Sequence, residues 1–159
     1  MRMICAALAA VACVALASPA SAQSFEKKNY NYSEWTKGRF SEAVTVTGPG
    51  KMIFLAGVGA EDENGARGTI RHPGNFIEQC KYAYDKIKRV LAHHGGQLSD
   101  VVKITTYMTD LRYRLDMGKC IGASWGGVTF PVHTLIGVAA LAFPEMIVEV
   151  DATAIVQAK

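Results

Sequence analysis

The sequence has little net charge, few cysteines and only one long apolar run, and each shortage removes a class of protein. The apolar run, residues 4–17, is too short and too rich in alanine to be a comfortable membrane span. Arg2 precedes it and Ala20-Ser21-Ala22 follows it, in the pattern that signal peptidase reads. We therefore expect residues 1–22 to be a signal peptide cut after Ala22. The protein is then periplasmic or secreted, and has no membrane contact after cleavage.

The remaining 137 residues (159 minus 22) are enough for one domain with a single core. Of the 17 Lys and Arg residues only Arg2 is removed with the first segment, so 16 basic residues face 14 acidic ones. No basic stripe stands out from this near balance. Nucleic acid is therefore not an expected partner.

Two cysteines remain, Cys80 and Cys120. They could pair in an oxidising compartment. Each also lies where a helix would bury a small apolar side chain, so the sequence leaves pairing open and favours two buried thiols. His93 and His94 are adjacent on a helix, point about 100° apart and have no partner one turn away, so no metal site is expected.

Apolar periodicity predicts a single α+β domain with two helices on one face of a mixed sheet. Asn75, with Glu78 three residues later, predicts the start of the first helix. The apolar residues Leu135 and Ile147 are expected on the other face, which a homo-oligomer would bury. The predicted elements are strands 40–47 and 51–56 joined as a hairpin, a possible edge strand 68–71, helix 75–94, strand 101–109, helix 111–125 and two strands within 127–156.

Residues 24–38 are polar but contain four aromatic side chains, Phe25, Tyr30, Tyr32 and Trp35. The sequence leaves two possibilities open for this N-terminal extension, residues 23–38. It is a frayed tail, or its aromatic residues dock on the domain or on a neighbouring subunit.

The last strand presents two carboxylates. Alternation places Glu149 and Asp151 on one face, opposite the apolar Val148 and Val150. We expect His133, on a neighbouring strand, to lie near them. Carboxylates on a sheet face are costly to bury unless they are paired or wet, which favours a functional role as well as an interface role.

Five motifs in order resemble the RidA/YjgF family of reactive-intermediate deaminases, from Arg39 to the C-terminus. They are Phe40-Ser41-Glu42-Ala43, Ile53-Phe54-Leu55-Ala56-Gly57, the strand DVVKITTYMTD (100–110), Phe130-Pro131-Val132-His133-Thr134 and Val148-Glu149-Val150-Asp151-Ala152. The resemblance implies that residues 39–159 form a RidA-like domain with a chorismate-mutase-like fold. It also implies a homotrimer with clefts between subunits, no cofactor, and hydrolysis of enamines and imines of 2-keto acids.

Carried over position by position, the resemblance makes Glu149 the residue that positions the attacking water. Gly57 is the glycine whose backbone contacts the substrate. His133 stands where the family has the arginine that holds the substrate carboxylate. Phe40 replaces a tyrosine and Val58 a glutamine. Phe130 and Thr134, which flank the histidine motif, are expected to line the substrate with them.

The loss of the arginine leaves three interpretations open. His133 could act as general acid or base with Glu149, because its reference pKa of about 6.5 leaves it mostly neutral at pH 7. A cation elsewhere, such as Arg39, Lys103 or Arg112, could hold the carboxylate instead. Alternatively, the cleft binds a ligand without turning it over.

We therefore expect an exported trimeric hydrolase acting on compounds like 2-aminoacrylate or 2-iminopropanoate, with weakened or altered specificity. An aromatic or cyclic substrate is a further possibility, because Phe40 and Val58 make the pocket more apolar. The alternative is a non-catalytic trimer that binds small ligands or acts as a holdase.

Overall fold

The structure, a computed structural model, describes residues 23–158, so the predicted signal peptide lies outside the described residues. Short 3₁₀ turns lie at Leu98–Asp100 and Leu111–Tyr113. In chain order the main elements are β1 (Glu26–Tyr30), β2 (Ala43–Thr47), β3 (Gly50–Val58), α1 (Phe76–His93), β4 (Val101–Met108), α2 (Arg114–Trp125), β5 (Val132–Gly137) and β6 (Val148–Gln157).

A four-stranded sheet in the order β3-β6-β4-β5 is the centre of the fold. β4 and β5 run parallel, whereas β6 is antiparallel to both of its neighbours. α1 packs on β3 and β6, and α2 packs beside α1. The predicted fold class, with two helices on one face of a mixed sheet, is confirmed.

The helices cover one face because α1 is amphipathic from its first turn. Asn75 Oδ1 accepts a hydrogen bond from the Glu78 backbone N–H at 3.2 Å, as the sequence predicts. The buried stripe of α1 includes Tyr84, Ile87 and Leu91, which pack in the main core with buried residues of β4 and β6. Burying each large apolar side chain contributes roughly 1.5–3 kcal/mol, so this layer holds the fold together.

A disulfide joins Cys80 of α1 to Cys120 of α2, across a sequence separation of 40 residues. The expectation of two buried thiols is therefore wrong. Each cysteine does lie on the buried stripe of its helix, as predicted, and both are fully buried. Because α1 and α2 pack side by side, the two stripes meet, and their Cα atoms lie 6.2 Å apart, close enough to be bridged.

The predicted hairpin between the first two strands is also wrong, because β2 pairs with β1 and β3 pairs with β6. β1 takes the edge of β2, so part of residues 24–38 is docked on the domain. Lys27 reinforces this by donating to the Val101 carbonyl at 2.7 Å. The turn after β2 needs Gly48, which has a φ of +80° and whose Cβ would lie 2.4 Å from the Ser24 carbonyl oxygen.

Two smaller expectations also change. The possible edge strand at 68–71 is reduced to one bridge, between Glu61 and Ile70, within a long loop. α2 begins at Arg114 rather than 111, and Leu115 is exposed because it lies about 200° around the helix from the buried Met117. Within residues 23–158, no helix is both long and apolar enough to cross a membrane.

Candidate active site

Glu149 lies on the face of the sheet that the helices leave open. Along β6 the residues Val148 and Val150 are buried in the core, so alternation turns Glu149 to the opposite face. Its carboxylate rests against the backbone of β3. A Cβ at Gly57 would lie 1.9 Å from Glu149 Oε1, so only glycine fits this carboxylate position. The structure therefore brings together two of the residues selected from the sequence.

The surroundings of Glu149 favour its protonated form. Burial raises the pKa of this carboxyl group, and the nearby charges of Glu61 and Asp151 raise it further. A carboxyl group with a raised pKa can both accept and return a proton closer to neutral pH. This is the property that a general acid–base residue needs.

Asp151, the second carboxylate of the strand, has a hydrogen-bond partner. The Tyr107 hydroxyl on β4 donates to Asp151 Oδ2 at 3.0 Å. This hydrogen bond, together with the carboxylate charge, raises the pKa of Tyr107. Asp151 is therefore tied to its neighbouring strand, and Glu149 is the carboxylate that approaches the Gly57 backbone.

A partly buried ion pair supports the loop after Gly57. Lys86 of α1 donates to the Glu61 carbonyl at 2.9 Å and to Glu61 Oε2 at 2.8 Å, and its side chain is only 7% exposed. Glu61 Oε2 also accepts from the Gly59 backbone N–H at 3.0 Å. Burial alone would raise the pKa of Glu61, but the bonds from Lys86 and Gly59 lower it overall.

Sequence reasoning missed this pair, because Glu61 belongs to an acidic run that reads as a solvated loop. The one available signal was Lys86. It lies three residues after Ala83 and one before Ile87, at the edge of the buried stripe of α1. A lysine at that position needs a partner when its ammonium is desolvated.

His133 lies on the other face of the sheet, towards the helices. It pairs in register with the buried Ile104 of β4. Its Nε2 lies 3.0 Å from Thr106 Oγ1, and its ring meets the Phe130 ring edge-on at 5.3 Å between centroids. Burial lowers the pKa of His133 to about 4, so the imidazole is neutral at pH 7.

Within one chain, His133 and Glu149 are not neighbours. β4 lies between their strands, and the two side chains point to opposite faces of the sheet. The expectation of a histidine on the strand next to the carboxylates is therefore corrected. Alternation correctly predicted which residues of each strand share a face. It could not predict the order of the strands in the sheet.

The open face differs in composition from the one expected. Leu135 and Ile147 pack against the core instead of facing outward. The exposed apolar side chains on the open face are Met52 and Phe54 of β3 and Ile136 of β5, with Phe54 74% exposed. The open face therefore still carries exposed apolar side chains, and the expectation of self-association rests on these three residues instead of Leu135 and Ile147.

The remaining site residues predicted from the sequence do not lie together in one chain. Thr134 is exposed on β5, in register with Thr105. Val58 pairs with Val150 after an irregularity in β3 and packs against the core. Phe40 and Phe130 both line a cleft of about 380 Å³ at the end of the sheet beside α2.

The three candidate cations also separate. Arg39 lines the cleft with Phe40 and Phe130. Lys103 is exposed on β4. Arg112 is paired with Asp110, whose Oδ2 lies 2.7 Å from Arg112 Nε. In the part of the chain that is described, no cluster of three or more His, Cys, Asp or Glu side chains is placed to hold a metal ion.

Comparisons with a family model and with individual relatives point to the same family. The family described as Endoribonuclease L-PSP matches residues 23–156. A RutC family protein of Pyrococcus abyssi is 31% identical over 118 residues, which cover 74% of this chain and 86% of that protein. The protein DfrA of Myxococcus xanthus is 32% identical over 119 residues, with the same coverage of both chains.

Solved structures agree with the fold. The Rid-family protein YyfB of Yersinia pestis, whose function is unknown, superposes with a TM-score of 0.70 at 29% identity, covering 80% of this chain and 97% of its own. A YjgF-family protein of Mycobacterium tuberculosis gives a TM-score of 0.56 at 25% identity, covering 82% of this chain and all of its own.

Proposed function

This chain belongs to the Endoribonuclease L-PSP family, which is the RidA/YjgF family, and on that premise we propose that it hydrolyses small imines or enamines of 2-keto acids. The site would lie between copies of the chain. Glu149 and Gly57 of one copy would meet the cleft end of another copy, which is lined by Phe40 and Phe130, with His133 packed against Phe130.

The observation that carries the proposal is the Glu149 carboxylate held against Gly57. In the proposed reaction, Glu149 accepts a proton from water as the water oxygen bonds to the imine carbon. The proton passes to the imine nitrogen, which gives a carbinolamine. Glu149 then takes the proton of the new hydroxyl group and returns it to the nitrogen as the carbon–nitrogen bond breaks, so ammonia leaves and the carbonyl forms. The raised pKa of Glu149 supports this shuttle, because the group must hold the proton briefly and then return it.

Assembly of identical copies is part of the proposal, and a homotrimer is the form expected for the family. Two features of the single chain support it. The open sheet face exposes Met52, Phe54 and Ile136, and exposed apolar patches mark interaction surfaces. In addition, the two groups of candidate residues lie on opposite faces, so a second copy is needed to bring them together.

The test is release of keto acid and ammonia from 2-iminopropanoate generated in the assay, with purified protein beginning at residue 23. Glu149→Gln should lower the rate by roughly a hundredfold or more, because general acid–base groups contribute about 10²–10⁴-fold. Glu145→Gln is the matched control, since Glu145 is an exposed carboxylate in the preceding loop. Equal rates for wild type and Glu149→Gln would overturn the proposal.

One observation favours a second candidate, a ligand-binding protein without turnover. The residue at the family's arginine position is a neutral, largely buried imidazole, which cannot supply a permanent charge to a carboxylate. Ligand bound in a crystal at the inter-copy site, with no turnover across a panel of imines, would favour this candidate. RNA belongs in the same panel because the family's description names an endoribonuclease.

We also propose that the protein is exported after cleavage at Ala22. The disulfide between Cys80 and Cys120 supports this, because such bonds form and persist in oxidising compartments. Mass spectrometry of the protein from a periplasmic fraction should give a chain that begins at Gln23. A full-length chain found with cytoplasmic markers would contradict export.

A further inference from the structure

The cleft beside α2 has the features of a small-molecule site. Its volume of about 380 Å³ falls within the roughly 300–1,000 Å³ typical of ligand pockets. Its apolar lining comes from Phe40, Ile121, Trp125, Val128 and Phe130, and three of these five side chains are aromatic. A flat apolar group of the size of a benzene ring suits such walls.

The charge that lines the cleft is positive. Arg39 is the one charged residue among the lining residues that the structure describes, and none of them is acidic. Arg39 has no salt-bridge partner within residues 23–158, unlike Arg71, Arg89 and Arg112, which each pair with a carboxylate. A ligand with an anionic group would therefore complement this cleft, and a guanidinium matches a carboxylate with two parallel donors.

The segment that carries Arg39 is fixed by its neighbours. The Arg39 guanidinium lies over the Trp35 ring, 5.2 Å from its centroid, and Trp35 meets Phe40 edge-on at 5.7 Å. Asn31 Nδ2 donates to the Phe40 carbonyl at 2.7 Å. On the opposite wall, Ser41 Oγ donates to the Phe130 carbonyl at 2.8 Å. These contacts join both sides of the cleft before any ligand arrives.

We infer that this cleft binds a small aromatic carboxylic acid, with the ring against Phe40, Trp125 and Phe130 and the carboxylate on Arg39. Arg39 thus takes over the task that His133 cannot perform. As a statement about substrate, the inference rests on the proposed function: the hydrolysed compound would be a 2-imino acid with an aromatic side chain. As a statement about binding, it can be tested without any turnover.

Phenylacetate is the probe, and phenylacetamide, its uncharged analogue of nearly the same shape, is the comparison ligand. The chain has two tryptophans; Trp125 lines the cleft and Trp35 supports Arg39. Intrinsic fluorescence, excited where neither ligand absorbs, should therefore report binding directly, and calorimetry should give the same Kd. We expect saturable binding of phenylacetate and at least tenfold weaker binding of phenylacetamide.

Arg39→Gln should weaken phenylacetate binding about tenfold or more, because it removes the charge-assisted hydrogen bonds to the carboxylate. The same variant should leave the affinity for phenylacetamide unchanged. Arg112→Gln is the control, since that arginine is exposed and does not line the cleft. Equal phenylacetate affinity in wild type and Arg39→Gln, or equal affinity of wild type for both ligands, would overturn the inference.

A second variant tests the cleft without touching charge. Gly122 lines the cleft, and a Cβ there would have no heavy atom within 4 Å, so Gly122→Leu should fill the cleft without disturbing α2. Gly118→Leu is the matched control, because Gly118 is equally open but does not line the cleft. Gly122→Leu should abolish phenylacetate binding while Gly118→Leu retains it; binding that persists in Gly122→Leu would place the ligand elsewhere and overturn the inference.

The two proposals can fail separately. Binding of phenylacetate that depends on Arg39, with no imine hydrolysed in any assay, would contradict the proposed hydrolase function and support this inference. Imine hydrolysis at normal rates in Arg39→Gln, with unchanged phenylacetate affinity, would support the hydrolase function and contradict this inference.

Discussion

The bond between Cys80 and Cys120 should be a major source of stability, and its contribution can be worked out from the loop it closes. It links residues separated by 40 positions. Closing a loop of that length removes unfolded-state entropy equivalent to about 4 kcal/mol at 25 °C. For a domain of this size, such a loss should lower the Tm by about 10–15 °C.

The assay is urea unfolding of oxidised and fully reduced wild-type protein, followed by circular dichroism at one fixed protein concentration. Constant concentration matters because self-association also contributes to apparent stability. The Cys80→Ala/Cys120→Ala double variant should behave like the reduced protein under both conditions. A difference below about 1 kcal/mol between oxidised and reduced protein would refute the loop-entropy reasoning. Two free thiols in unfolded, unreduced protein would show that the bond does not form.

Three further predictions concern the site. His133 has a folded-state pKa of about 4 against an ordinary value of 6.5, so the unfolded chain gains a proton first as pH falls. Stability should therefore drop between pH 6.5 and 4, by at most about 3 kcal/mol, and urea titrations of His133→Phe should lack this component; identical pH profiles would contradict it. Glu61→Gln should destabilise the fold by about 2 kcal/mol or more, because it leaves a buried ammonium without its charge partner. Glu63 forms an exposed ion pair with Arg89, so Glu63→Gln should change the free energy of unfolding by no more than about 0.5 kcal/mol. Equal losses of stability in Glu61→Gln and Glu63→Gln, measured by urea denaturation, would argue against a special role for Glu61. Gly57→Ala should displace the Glu149 carboxylate, so the rate of imine hydrolysis should fall strongly while Tm changes little. Full activity in this variant would show that the contact between Gly57 and Glu149 is not needed for catalysis.

Elements that depend on local pattern were predictable. The Asn75 cap and the apolar stripe that follows define α1 from the sequence alone, because both signals lie within a few turns of one helix. The alternation of β6 likewise separated Glu149 from the buried Val148 and Val150. In each case the residues that determine the element are neighbours in the chain.

Pairing between distant segments was not predictable from the same patterns. β2 could pair with β3 through a short turn, but β1 occupies its edge, and the polar sequence of β1 gave no strong strand signal. The disulfide required α1 and α2 to place Cys80 and Cys120 against each other. Both outcomes depend on packing geometry that periodicity does not encode.

The candidate site shows the same division. Gly57 and Glu149 come together because β3 and β6 pair, and the resemblance to known proteins had already selected both. The face occupied by His133 depends on β4 entering the sheet between β5 and β6, which alternation along one strand cannot reveal. The ion pair of Lys86 and Glu61 joins a helix to a loop 25 residues away. The sequence around either residue therefore did not indicate the other as its partner.

A complementation experiment tests the central claim most directly, namely that one site uses the cleft of one copy and Glu149 of another. Glu149→Gln and Gly122→Leu, each expected to be inactive alone, are unfolded together and refolded as mixed oligomers. Because each site then samples the two copies at random, about one quarter of the sites should combine an intact cleft with an intact Glu149, and about that share of wild-type activity should return. Mixed oligomers no more active than the two parent proteins would contradict the account.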